Sequence, residues 1–279
     1  MRSSALLLVF VLQACTTSPL TGRDQFLLVS DSTAVSQSAA AYTQMMADLG
    51  KKKQIETGTP RADKVKEMTD RLVKQAVRVR PDSAKWAWEV QVINDPKTVN
   101  AFCMAGGKMA IYTGMWDKLK ATDDEIAQVM GHEIAHALAD HTRERMSIAM
   151  TTAAATTAAA IAIGSRDSGP GAGLALTGAQ LAAVLAIQLP NSRESESEAD
   201  QIGIELAARA GYDPKAAVTL WDKMGKEGGG PPEFLSTHPA PQNRAARLAE
   251  LGKQVTPLYL AAKAGTASDS DKLITFPRK

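Results

Sequence analysis

Apolar residues recur at helical spacing over much of this chain and alternate, as in a strand, over one stretch of its first half. Residues 31–50 carry a helical pattern. In 62–80, Val65, Met68, Leu72 and Val73 share one side, Ala76 and Val77 continue it, and Pro81 stops it. Trp86, Trp88, Val90 and Val92 alternate, which predicts a strand running to Ile93 and closed by the turn residues Asn94-Asp95-Pro96. Val99–Met104 and Lys108–Thr113 flank Gly106-Gly107 and predict a hairpin. The best-marked helix follows. Thr122-Asp123-Asp124-Glu125 reads as a capping box whose acids suit the positive end of the helix dipole. Ile126, Val129, Met130, Ile134, Ala137 and Leu138 then form its apolar face.

The second half is less regular. Residues 147–190 are rich in Ala, Thr and Gly, with two apolar stretches, 148–163 and 172–189, around a polar turn. Thr151, Thr152, Thr156 and Thr157 in the first, and Thr177, Gln180 and Gln188 in the second, leave neither with the ~20 apolar residues that a membrane span needs. Two alanine-rich helices packed on the protein, or a flap over a cleft, are expected. A helix over 193–210 ends at Gly211, and Asp213-Pro214 starts another. Gly228–Pro232 reads as a loop, Pro241 opens a final helix ending near Gly252, and 253–279 read as a loose tail. The pattern predicts an α+β fold, mainly helical, with a small mixed or antiparallel sheet next to the helix that starts at Asp123.

The first residues change the picture. Met1-Arg2 and the apolar run Ala5–Leu12 read as a secretory signal, and Leu12-Gln13-Ala14-Cys15 resembles a bacterial lipobox. That resemblance implies removal of residues 1–14 and acylation of Cys15. Thr16, rather than aspartate, favours the outer membrane, so the chain is expected in the bacterial envelope, facing the periplasm on a lipid anchor. Residues 15–60 then serve as an anchored tether and first helix. Cys103 is left as the other cysteine, a small buried hydrophobe. A net charge of +2 offers no nucleic-acid footprint.

Candidate chemistry sits on the capped helix. His132-Glu133-Ile134-Ala135-His136 sets two imidazoles on one helical face, with Glu133 able to reach a water bound between them. Apolar neighbours are a poor setting for these groups unless they share a partner, which argues for a metal over a chance match on a solvated helix. A catalytic zinc takes three protein ligands. The remaining histidines are His141 and His238; position 142 is Thr and 139 is Ala, which excludes a third histidine at the longer spacing, and leaves His141 near the helix end, where an imidazolium suits the C-terminus. The acidic helix start Glu194-Ser195-Glu196-Ser197-Glu198-Ala199-Asp200 is the candidate source. Glu196 pairs in spacing with Asp200 and Glu194 with Glu198, and spacing alone does not choose between them.

Ser192-Arg193-Glu194-Ser195-Glu196-Ser197-Glu198-Ala199-Asp200 resembles the Ser-Arg-x-x-Glu-x-x-Ala-Asp pattern of the zinc metallopeptidase family that contains HtpX and the CAAX prenyl protease. Asn100-Ala101-Phe102 through Gly106–Gly114 is similar to its substrate-flanking hairpin, and Thr237-His238-Pro239 with Arg244 to its late His-Pro…Arg element. The resemblance covers roughly residues 60–250, and the lipobox points to the periplasmic lipoprotein branch of LoiP and BepA. It implies a gluzincin metallopeptidase domain over 61–252, holding one Zn²⁺ on His132, His136 and Glu196. It implies Glu133 as the general base, His238 as oxyanion stabiliser supported by Arg244, and Asp200 as the carboxylate behind a ligand histidine. An extended substrate is expected to add as a strand to Lys108, Met109, Ala110, Ile111, Tyr112 and Thr113, taken as an edge. That suits unfolded or misassembled envelope polypeptides. The alternatives are a chaperone-like lipoprotein that holds clients while its zinc stays latent, and a protein that uses the metal for structure alone.

Overall fold

The computed structural model describes residues 15–162, 188–226, 233–239, 243–267 and 272–276. The signal segment, the second alanine-rich stretch up to residue 187, the Gly228–Pro232 loop and the Pro241 helix start lie outside them.

Two short strands come first, β1 (Cys15–Thr17) and β2 (Asp24–Phe26), paired antiparallel with Cys15 opposite Phe26. Helix α1 (Asp31–Lys51) starts at Ser30, whose hydroxyl accepts from the Thr33 N–H. Strand β3 (Ile55–Glu56) leads into α2 (Pro60–Val79), which Thr59 caps and whose buried stripe is Val65, Met68, Leu72 and Ala76. After a 3₁₀ turn at Pro81–Lys85 come β4 (Glu89–Ile93), β5 (Ala101–Met104) and β6 (Lys108–Tyr112). Strands β3 to β6 form one mixed sheet in the order β3-β4-β6-β5, with β4 and β6 parallel and the other pairs antiparallel.

The remaining elements are helical: α3 (Gly114–Asp117), α4 (Asp123–Leu138), α5 (His141–Ala162), α6 (Arg193–Arg209), α7 (Lys215–Lys226), α8 (Glu233–Thr237) and α9 (Arg244–Lys263). Helix α4 lies between α2, α6 and β5, and is buried along nearly its whole length. The α+β architecture is the expected one.

Several expectations change. The strand predicted from Trp86 begins at Glu89, because the 3₁₀ turn precedes it and Trp88 Nε1 donates to the Ser83 carbonyl. Lys108–Thr113 is not an edge. β6 has partners on both sides because β4 pairs parallel with it, a long-range pairing that local patterning does not announce, and the edge strand against α4 is β5. Residues 15–30 dock on the body of the protein: Gln25 and Val29 are buried, and Gln25 Nε2 donates to the Ala139 carbonyl at 2.7 Å. The first alanine-rich stretch is the continuation of α5, and among the described residues no helix is long and apolar enough to cross a membrane.

The final helix also differs. α9 runs past Gly252, through Pro257, to Lys263, because Leu248 and Val255 continue an apolar stripe against Ile204, Ala208 and Ala217. The tail beyond it docks in part: Leu273 is buried, and Glu205 accepts from the backbone N–H groups of Ile274 and Thr275 and from the Thr275 hydroxyl.

The capping box of α4 forms in full. Thr122 Oγ1 accepts from Glu125 N–H at 3.3 Å and Glu125 Oε2 from Thr122 N–H at 2.8 Å. Glu125 also accepts from Lys223 Nζ at 2.6 Å and Thr219 Oγ1 at 2.7 Å. Burial pushes its carboxyl up, but these bonds outweigh burial and hold it below the usual carboxylate range. A depressed folded-state pKa contributes stability above the unfolded pKa and loses it as pH falls through the folded one. Thr122→Ala is therefore expected to cost about 1 kcal/mol in urea unfolding. The Glu125→Gln penalty is expected to shrink from neutral pH toward pH ~3; an equal penalty at both would contradict this account.

Candidate metal centre

Helices α4 and α6 touch backbone to backbone. A Cβ on Gly203 would lie 2.7 Å from both Cα and N of His132, and one on Gly131 would lie 2.8 Å from the Gly203 carbonyl oxygen. Only glycine at both positions permits that approach. Ser192 caps α6, its hydroxyl accepting from Ser195 N–H at 3.0 Å, so the first turn of α6 faces the His-Glu-x-x-His turn of α4.

Four buried side chains meet there. His132 Nε2 lies 3.0 Å from His136 Nε2 and 3.4 Å from Glu196 Oε2, and His136 Nε2 lies 3.3 Å from Glu196 Oε1. His238 Nδ1 is 2.9 Å from Glu196 Oε1 and 3.3 Å from His132 Nε2. One donor atom from each of the four falls within 4.8 Å of the others.

The bonds behind the rings decide which nitrogen faces inward. His132 Nδ1 faces Asp200 Oδ1 at 3.2 Å, and His136 Nδ1 faces His141 Nδ1 at 2.8 Å. Each outer nitrogen therefore holds a proton for its partner, which points two Nε2 lone pairs at each other. That is repulsive unless a cation lies between them, either a metal ion or the proton that Glu196 and Asp200 hold on His132. Tetrahedral zinc with bonds of 2.0–2.2 Å places neighbouring donors ~3.3 Å apart; the spacings here match, and the N, N, O donor set is one zinc accepts. These residues fit the ion.

Electrostatics differ between the two rings. Burial lowers the His132 pKa, yet Glu196 and Asp200 override it and push the ring up to about 9. Burial prevails at His136, whose pKa lies well below the ordinary value. Glu196 is driven up by burial but more strongly down by His238 and His132, and stays ionised. Burial raises the pKa of Glu133, whose Oε1 makes no hydrogen bond and sits 3.5 Å from His238 Nε2. It is an unoccupied proton acceptor facing the cluster.

Arg244 braces this arrangement. Its Nη1 donates to Glu196 Oε2 at 3.1 Å and its Nη2 to Asp200 Oδ1 at 2.6 Å, while the guanidinium lies 3.5 Å above the Trp221 ring. Phe234 stacks on His238 at 4.3 Å, and Asn191 Nδ2 reaches His238 Nδ1 at 3.2 Å.

Among the acids that spacing left open, the fold brings Glu196 to the cluster and Asp200 behind it, leaves Glu194 exposed and turns Glu198 toward His141. His141 corrects the sequence reading. It opens α5 rather than closing α4, is buried, and burial lowers its pKa against the pull of Glu198, so it is a neutral ring and not a cation at a helix C-terminus. The break that redirects it is Asp140 in the left-handed region, at φ 59°. His238, which the resemblance implies as oxyanion stabiliser, lies within the donor cluster. Asn191, Phe234 and Trp221 escaped the sequence reading, since single polar or aromatic residues far apart in the chain leave no local signal.

Comparison with known proteins places these residues in a wider set. The profile of peptidase family M48 matches residues 60–252. The mitochondrial metalloendopeptidase OMA1 of Arabidopsis thaliana is 37% identical over 190 residues, 64% of this chain and 35% of the relative. The OMA1 of Schizosaccharomyces pombe is 33% identical over 238 residues, 83% of this chain and 65% of the relative. The β-barrel assembly-enhancing protease of Escherichia coli is 30% identical over 183 residues, 64% of this chain and 37% of the relative. The chain thus spans less than two thirds of the length of each of these relatives.

Gly203→Ala tests the helix contact directly. Forcing α4 and α6 apart is expected to cost about 1–3 kcal/mol and to lower zinc content in metal analysis, while Gly225→Ala, in a helix with open space around it, leaves zinc content unchanged and does not destabilise the fold. Full zinc content and wild-type stability in Gly203→Ala would show that the contact does not set the site.

Proposed function

The chain belongs to peptidase family M48, and from that premise we propose that it is a zinc-dependent endopeptidase of unfolded or misassembled polypeptides in the bacterial envelope. The observation that carries the reading is the pair of inward-facing Nε2 atoms of His132 and His136, closed by Glu196, beside the unpartnered Glu133 Oε1. Bound there, zinc supplies Lewis-acid activation of a water and of the scissile carbonyl. Glu133 takes the proton of the attacking water, for which its raised pKa makes it a better base, and returns it to the leaving amine. Asp200 holds the His132 ring, and Arg244 fixes Asp200 and Glu196 together. His238 Nε2, facing Glu133, steadies the charge that develops on the carbonyl oxygen.

Substrate addition belongs to β5, the edge strand against α4. Main-chain pairing there reads extended polypeptide with little regard for sequence, which suits unfolded clients. The name of the Escherichia coli relative, which refers to β-barrel assembly, supports envelope clients, and the lipobox-like Leu12–Cys15 supports an outer-membrane anchor at Cys15.

A second reading, a client-holding protein with a latent site, is favoured by one feature. The segment of α8 and His238 occupies both halves of the site at once: Phe234 N–H donates to the Val99 carbonyl next to β5, and His238 takes the fourth donor position that a catalytic zinc leaves open. Both readings meet the same assay. The full-length chain is expected to hold one zinc and to cleave casein until a chelator is added. Glu133→Gln should keep the zinc and lose cleavage by about 10²–10⁴-fold; undiminished cleavage would overturn the endopeptidase reading. Intact casein with stable client binding would favour the latent form, and unfolding on chelation without hydrolysis by any form would point to a structural metal.

A further inference from the structure

A chain of hydrogen bonds runs from the outer nitrogen of His136 to the N-terminal strands. With Nε2 facing the cluster, His136 donates from Nδ1 to His141 Nδ1 at 2.8 Å. His141 then carries its proton on Nε2 and donates to Glu198 Oε2 at 2.8 Å. Glu198 Oε2 in turn accepts from Arg23 Nε at 3.0 Å. Each donor in this sequence meets an acceptor, so the set admits one direction and one tautomer for each ring.

Arg23 is itself held on three sides. Its Nη1 and Nη2 fork onto both oxygens of Glu144 at 3.0 and 2.7 Å, and its own backbone closes a turn in which Ser18 N–H donates to the Arg23 carbonyl at 2.7 Å. Around it, residues 18–30 form a strap across the joint between α4 and α5. Gln25 Nε2 donates to the Ala139 carbonyl at the end of α4, and Phe26 N–H donates to Glu144. Val29 N–H donates to Ser147 Oγ at 3.0 Å, and Arg143 Nε donates to the Val29 carbonyl at 2.6 Å. The burial gradient follows the chain of bonds: the side chain of His141 is 1% exposed, that of Glu198 9% and that of Arg23 23%.

We propose that Arg23, Glu198 and His141 are positioning residues for His136, so that the N-terminal strap is a working part of the metal centre. The proposal rests on the zinc reading given above. His132 is braced by a carboxylate close at hand on α6; His136 is braced through a second imidazole by a carboxylate whose orientation depends on a segment more than a hundred residues away. A ring free to rotate about its Cβ–Cγ bond presents the wrong nitrogen for part of the time, and an ion held by three ligands loses affinity accordingly. An arginine is required at the strap because one planar fork must serve two carboxylates at once, which a lysine ammonium on a flexible stem does not do.

The test is zinc affinity, measured on the full-length chain by competition with a chromophoric chelator, together with the visible spectrum of the Co²⁺-substituted protein. Arg23→Ala and Glu198→Gln are expected to weaken zinc binding by about tenfold or more and to shift the cobalt bands. Arg61→Ala, which breaks an ion pair of similar exposure with Glu56 away from the site, leaves both readouts as in the wild type. Arg23 is partly exposed, so its variant remains measurable even where Glu198→Gln fails to fold. Wild-type affinity and an unaltered cobalt spectrum in Arg23→Ala would overturn the proposal while leaving the zinc reading intact. A wild-type chain that takes up no zinc would overturn the zinc reading itself.

Discussion

The closeness of α4 and α6 at Gly131 and Gly203 is the constraint on which the rest depends. Neither helix alone carries a metal site: α4 has two imidazoles and α6 a carboxylate, and they meet because no side chain separates the backbones. Each glycine weakens its own helix by about 1 kcal/mol relative to alanine. The tight packing of Ile134, Ile202, Leu206 and Ala207 in the shared core offsets that loss. The contact also gathers charge in a buried place. Glu133, Glu196 and Asp200 stand against Arg244 there, and such groups are tolerated only when paired.

His132 and His136 are braced in different ways, with different electrical results. Glu196 and, behind the ring, Asp200 set negative charge against His132, which raises the basicity of the ring and strengthens it as a donor. His136 leans on a neutral imidazole, and burial carries its pKa down. One ring is thus tuned by charge and the other by orientation. The division follows from the fold. Asp200 is one helical turn beyond Glu196 and reaches His132 directly, whereas the far side of His136 faces α5, where a histidine at the helix start is the neighbour.

How much of this the sequence discloses depends on the range of each interaction. The capping box at Thr122, the stripe of α2 and the hairpin at Gly106-Gly107 are local, and their residues announce them. The His-Glu-x-x-His pair is local too, since one helical turn aligns it. The third donor is not: four acids at the start of α6 have similar spacing, and only the angle at which that helix meets α4 separates Glu196 from Glu198. The position of β6 inside the sheet was hidden for the same reason, because its parallel partner β4 precedes the hairpin. His141 was misplaced by a single backbone angle at Asp140, which turned an expected helix end into the start of another. Pro257 and Gly252 misled in the opposite sense, since tertiary packing carried α9 through both.

The strand pairing of Cys15 with Phe26 has a consequence for the anchor proposed at Cys15. A flexible leader of fifteen residues would let a globule wander on the order of 20 Å from its attachment point. Here Cys15 is exposed but paired with β2, so acyl chains on it, as proposed above, would leave no leash. The body would ride flush on the headgroups at one height and one tilt, and its mouth would sample only polypeptide emerging within a narrow rim of the lipid surface.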